Sequence, residues 1–207
     1  MSPIPPGRSP YLVLLIMLST GGITACGNAE EATPSHMARG ATRPPQGVTE
    51  YVNHHYAYRV NLPAGWSRAH TSLTPSLDDP REILTVATFP LRLHRGSCAQ
   101  FPGALTDVRP RDVLVTVQER AGKPTPEFVR RPQHFTAGMG FRSEASACVR
   151  PPARFSNRLI NFRDGPRFFH ALVAIGKSAS SQTRREAFEI LDSLRFGRFR
   201  PRWHSTG

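Results

Sequence analysis

Two apolar runs, residues 155–162 and 167–175, are separated by Arg163-Asp164-Gly165-Pro166, and an amphipathic pattern follows directly. Asp-Gly between apolar runs is a strong hairpin signal, with Pro166 favouring a loop slightly longer than two residues. Ser178, Ser180 and Ser181 offer N-caps. Ala187, Ile190, Leu191 and Leu194 then recur at i, i+3, i+4 and i+7, the spacing of a helix that packs one stripe on a sheet. Arg184, Arg185, Glu186, Glu189 and Asp192 are expected to face water, and Gly197 to end the helix. A hairpin followed by a sheet-packing helix commits the chain to an α+β fold.

The preceding segments supply the other strands. In Tyr56-Ala57-Tyr58-Arg59-Val60-Asn61-Leu62 large apolar residues take every second position, the period of a half-buried strand. Pro63-Ala64-Gly65 predicts a turn, with Trp66 filling core beside it. Residues 71–81 read as a loop. Residues 82–89 are apolar on both faces, as in a central strand covered on both sides, and Pro90 ends the ladder. A short helix is predicted over 98–108, a turn over 109–112, and a strand over 113–119 with Val113, Val115 and Val117 on one face. Residues 121–140, rich in proline and glycine, predict an irregular surface excursion pinned by Phe128, Phe135 and Phe141. The sum is a mainly antiparallel sheet of about five strands with the C-terminal helix packed on it.

The N-terminal part follows different rules. An apolar run from Tyr11 through Leu18 has only Arg8 as a charge before it, and Ile23-Thr24-Ala25-Cys26 closes it. The run fits a signal-peptide core and is short for a membrane span, which needs about 20 residues. A small residue before a cysteine, with polar chain after it, reads as a lipoprotein signal peptide. Cys26 is then lipidated and becomes the mature N-terminus; the alternatives are an ordinary secretory signal and an uncleaved anchor. The organisation expected is a leader over 1–25, a tether over 26–47 rich in Ala, Thr, Pro and Gly, one domain over 48–199, and a frayed tail over 200–207. The location expected is the extracytoplasmic face of the cell membrane.

With Cys26 used by the anchor, Cys98 and Cys148 remain as a pair in an oxidising compartment, where a disulfide is the natural reading; two free thiols and a metal site are the competing readings, the latter without a CxxC or clustered histidines beside either cysteine. The disulfide would close a loop of about 50 residues and stabilise by roughly 4 kcal/mol on the chain-entropy model. The formal charge is +12, nearly all of it arginine, with lysine only at Lys123 and Lys177. Codon usage in a G+C-rich genome would give this composition. The functional alternative is an anionic partner, either lipid headgroups or acidic envelope polymer. Nucleic acid, the usual partner of such a charge, lies in the wrong compartment. Arg92, Arg95, Arg130, Arg131, Arg150 and Arg154 lie in segments near the two cysteines. A disulfide would bring Arg95 and Arg150 toward one basic surface.

Three stretches carry a resemblance: Tyr58-Arg59-Val60-Asn61-Leu62-Pro63-Ala64-Gly65-Trp66, the Asp164-Gly165 hairpin, and Ile190-Leu191-Asp192-Ser193-Leu194-Arg195-Phe196. With the lipidation motif, they resemble small actinobacterial lipoproteins with a PsbP/Mog1-like α+β domain. That resemblance implies an envelope-attached accessory or interaction module and carries over no catalytic residues.

No nucleophile elbow, zinc-protease helix, phosphate loop, dinucleotide fingerprint or calcium loop is present in the sequence, so no cofactor is expected. His54 and His55 are adjacent and point to opposite faces, unsuited to one metal. Asp78 and Asp79 read as solvated loop acids. His170, between Phe169 and Ala171, reads as a satisfied core histidine. The expectation is a non-enzymatic envelope protein that binds another envelope component. A lipid or amphiphile carrier and a hydrolase built on His170 and a distant serine are the alternatives.

Overall fold

A computed structural model of the 207-residue chain describes residues 47–94, 100–122, 127–143 and 155–197. All of them belong to one unit, Thr42–Gly207. The described strands are β1 (Val48–Asn53), β2 (Tyr58–Pro63), β3 (Ser67–Arg68), β4 (Arg81–Ala87), β5 (Val113–Arg120), β6 (Val129–Arg130), β7 (Phe155–Asp164), β8 (Arg167–Gly176) and β9 (Arg195–Phe196). A 3-10 helix spans Gly103–Asp107, and α1 spans Ser181–Ser193.

The α+β class holds, but the single sheet of about five strands does not. The strands form a six-stranded sheet, β3-β4-β5-β8-β7-β6, and a three-stranded sheet, β1-β2-β9. All five strands expected from periodicity are present. β3, β6 and β9 have two residues each, too few to show a period, and β1 is a half-exposed edge strand with no strict alternation. The pairings are antiparallel except β6 with β7.

Alternation along β5 and β8 divides the core in two. Val113, Val115 and Val117 stand opposite Ile175, Val173 and Ala171, and this face packs with Ala187, Ile190, Leu191 and Leu194 of the helix segment and with Tyr58 and Val60 of β2. Leu114, Leu172 and Ala174 face the other way, against Phe101, Ala104, Leu105 and Val108 around the 3-10 helix. The helix expected over 98–108 is thus one short turn, with Pro102 as its N-cap. The buried residues of both cores lie between Tyr58 and Leu194, with Tyr51, Tyr56 and Phe196 packed against one of them, so a chain starting at Thr42 keeps every contact described.

Several local readings need correction. The β7–β8 loop has only two residues, because Asp164 pairs with Arg167. Gly165 has φ +58°. Proline cannot take positive φ, so of the two hairpin turns only type II′, with glycine first, suits Gly165-Pro166. Ser180 is the cap of α1, its hydroxyl accepting from Thr183 N–H at 3.0 Å. Three side chains expected in water are engaged instead. Glu186 Oε2 accepts from Trp66 Nε1 at 3.0 Å, Arg184 donates to the Gly176, Lys177 and Ala179 carbonyls, and Asp192 accepts from Phe135 N–H at 2.7 Å. Gly197 follows β9 rather than the helix, and its N–H donates to Ala57 O at 2.7 Å.

A buried ion pair in the larger sheet also reaches the smaller one. Arg167 Nε and Nη2 donate to Glu119 Oε1 and Oε2, both at 2.8 Å. The same guanidinium donates to Tyr56 O at 2.9 Å and Ala57 O at 3.3 Å in the β1–β2 turn. Both side chains are essentially inaccessible, at 1% and 0% exposed. Removing one partner leaves the other charge buried, which costs about 3–5 kcal/mol. Arg167→Met should therefore lower stability in urea by that amount, and adding Glu119→Leu should recover most of it. Equal losses in the single and double variants would mean that the pair does not carry the junction.

Candidate functional site: an arginine cleft on the open edge of β7

β8 occupies one edge of β7. The other edge is met by β6, with Val129 opposite Phe162 and Arg130 opposite Arg163, and by a bridge between Phe141 and Leu159. In that bridge Phe141 N–H donates to Leu159 O at 3.1 Å and Leu159 N–H to Phe141 O at 2.9 Å. Gly140 permits the approach. Its φ is +71°, and a Cβ there would stand 2.3 Å from Leu159 O, so no other residue fits without displacing the strand.

Arg130, Arg131, Arg163, Asp164 and Gly165 line a cleft of about 370 Å³. Arg131 is already engaged: Nη1 donates to Asp164 Oδ2 at 3.0 Å, and Nη2 to the Leu191 and Asp192 carbonyls at 2.8 and 3.2 Å. A cation there satisfies helix-end carbonyls and complements the negative end of the helix dipole. Arg130 and Arg163 are different. They are exposed cross-strand neighbours, and no carboxylate among the described residues pairs with either. Like charges directly opposite one another destabilise a sheet. With Asp164 held by Arg131, two exposed guanidinium groups remain in the cleft, and a planar guanidinium is a group that can donate to an anion in bidentate fashion.

Arg130 and Arg131 are the sequence candidates that meet at this site. Arg163 was not singled out. It reads as part of the hairpin loop, and only the β6–β7 register places it beside Arg130. Arg92 lies elsewhere, in a cleft of about 640 Å³ with Arg109, His94 and Asp107, where His94 Nε2 and Asp107 Oδ2 are 2.6 Å apart. Cys26, Arg95, Cys98, Cys148, Arg150 and Arg154 lie outside the described residues, as do the leader, the tether and the tail. Phe128 and Phe135 are buried as expected. Phe141 is not: its backbone is fixed to β7 while its side chain is 51% exposed, because the bridge falls on the outermost position of the sheet.

The other candidates take structural places. His54 and His55 are exposed in the β1–β2 turn. Asp79 Oδ1 accepts from Ala121 N–H at 2.9 Å, and Asp78 lies 3.9 Å from Arg81. His170 Nδ1 is 2.8 Å from Asn161 Oδ1, and its imidazole meets Phe128 at 4.9 Å, edge to face; no serine hydroxyl is among its described hydrogen-bond partners. Among the described residues, no cluster of three His, Cys, Asp or Glu could hold a metal ion, and no helix is long and apolar enough to cross a membrane. No protein-family model matches the chain, and a search of curated proteins found no match.

Burial, with the Arg120 charge second, holds the His170 imidazole down at about 4, although Asp79 and Glu127 pull it upward. An unfolded imidazole takes its proton near pH 6.5, so between that pH and about 4 the unfolded chain binds more protons. Stability should rise with pH through this window and be lost as pH falls, by roughly 3 kcal/mol in all. Urea midpoints between pH 7 and pH 4 check this, and His170→Gln should flatten the slope. An unchanged slope would assign the acid sensitivity to other groups.

Proposed function

We propose that this chain is a non-enzymatic, lipid-anchored protein of the cell envelope, held at the extracytoplasmic face through Cys26, whose α+β domain binds an anionic surface through the β7-edge arginines. The observation that carries the reading is the side-by-side placement of Arg130 and Arg163, neither of them paired with a carboxylate among the described residues. The leader motif ending at Cys26, the arginine-dominated charge and the resemblance to PsbP/Mog1-like lipoproteins support it. In this reading Cys98 and Cys148 form a disulfide. Diacylation of the Cys26 sulfur with acylation of its amine would more than meet the two-signal requirement for stable anchoring.

Each arginine near an anionic surface contributes about 1 kcal/mol, falling off within a Debye length. The unlipidated chain from Thr42 should bind anionic vesicles or acidic polymer at low salt, and the binding should weaken steeply toward physiological salt. Reversing both charges, Arg130→Glu with Arg163→Glu, should cost at least about 2 kcal/mol, or roughly 30-fold in affinity. Binding unaffected by the double reversal would remove the cleft from the reading. The anchor is checked separately by intact mass of the exported protein without reduction. The expected species begins at an acylated Cys26 and lacks two thiol hydrogens. A Cys26→Ala chain with the wild-type mature mass and membrane fraction would overturn the anchor.

A further inference from the structure

We infer that the β7 edge docks onto a lipid bilayer, with Phe141 entering the boundary between headgroups and acyl chains while Arg130 and Arg163 hold lipid phosphates. This rests on the anionic-surface reading and commits it to one partner. Among the described residues, four large apolar side chains are exposed: Val52, Leu93, Val129 and Phe141. Two of them, Val129 and Phe141, stand on the edge that carries Arg130 and Arg163. Phe141 pairs with Leu159 and Arg130 with Arg163. Leu159 and Arg163 are an even number of residues apart on one strand, so Phe141 and both arginines project to one side of the sheet. Four residues of strand separate them by about 13 Å, within the span of a few headgroups.

The construction of the edge suits insertion. Two backbone hydrogen bonds fix Phe141, so its ring is presented without the ordering cost of a loose loop. Exposed Arg142 follows it, and half-buried Arg158 reaches back to Gly140 O at 3.5 Å. Arginines lay their methylenes along apolar surface and keep the charge at the polar level, so a ring on the same side as Arg130 and Arg163 matches an interface that is apolar below and anionic above. An acidic polymer would satisfy the guanidinium groups but offers nothing to an exposed phenyl ring.

The test uses the chain from Thr42, with vesicles of phosphatidylglycerol and phosphatidylcholine and, separately, polyglutamate as an acidic polymer without a bilayer. In Phe141→Trp, the emission added to that of the parent chain should shift to the blue on vesicles and be quenched by lipids brominated in the acyl chain, but not respond to polyglutamate. Phe141→Ala should weaken vesicle binding by about tenfold, as expected for an aromatic side chain withdrawn from partial burial, and leave polyglutamate binding unchanged. Its unaltered thermal melt would show that the fold is intact. If vesicles are bound through the arginines while the introduced indole stays in water, insertion is wrong and the anionic-surface reading stands. Binding to polyglutamate but not to vesicles also overturns insertion alone. Binding to neither overturns both.

Discussion

The Arg167–Glu119 pair of the larger sheet reaches the β1–β2 turn of the smaller one, beside the apolar core that both sheets share. Desolvation offsets most of the attraction between two buried charges, so bulk stability is a poor account of why this pair is useful. Its geometry is a better one. Arg167 opens β8 and Glu119 nears the end of β5, in the larger sheet. Two carbonyls of the β1–β2 turn, on Tyr56 and Ala57, accept from the same guanidinium. Ala57 holds a left-handed φ of +50°, unusual for a residue with a Cβ, and its carbonyl also accepts from Gly197 N–H. The guanidinium lies about 5 Å from the centroids of Phe169 and Phe196, which stack on each other at 4.0 Å. One cation thus fixes the hairpin, the chain after α1 and the end of the six-stranded sheet.

The larger sheet balances this apolar face with a polar row on its other side. Glu82, Gln118, His170 and Asn161 stand in register across four strands, and all four are buried. Each is satisfied locally. Glu82 accepts from Leu73 N–H, from the Ser72 and Thr74 hydroxyls and from Thr85 Oγ1. Gln118 Nε2 donates to Gln100 O, and His170 meets Asn161. A buried polar row is tolerable only when its members have partners. For Glu82 and Gln118 several of the partners come from the loops that cover the sheet, so those loops are part of the core.

What the sequence made legible follows the length of each signal. β2, β4, β5, β7 and β8 each contain enough residues to display a period or a continuous apolar run, and Ala187, Ile190, Leu191 and Leu194 define the buried stripe of α1 with its Ser180 cap. Two-residue strands carry no pattern, so β3, β6 and β9 were invisible. Asp164-Gly165 marks the right hairpin, but the loop is two residues rather than longer, because Pro166 is itself the second turn residue after Gly165. At the candidate site, Arg130 and Arg131 could be named from sequence, whereas their division of labour could not. Arg131 is absorbed by Asp164 and the helix-end carbonyls, and Arg163 becomes Arg130's neighbour only through a parallel register between strands distant in sequence. Phe141 pins the excursion, but through its backbone: hydrophobicity says that a phenylalanine prefers burial, and only topology reveals that its position is the last one in the sheet.

The strands that end the larger sheet are both only two residues long. Inside β3, the rest of β4 is closed by other means: the Tyr58 hydroxyl donates to Ile83 O at 2.9 Å, and Ala69 N–H donates to Thr85 O at 2.9 Å. A long bare margin would be a template for strand exchange between copies. A margin already claimed by a phenol and a loop amide gives a second copy little to pair with. The β4 margin of the larger sheet is therefore no seam along which one molecule could be stitched to the next.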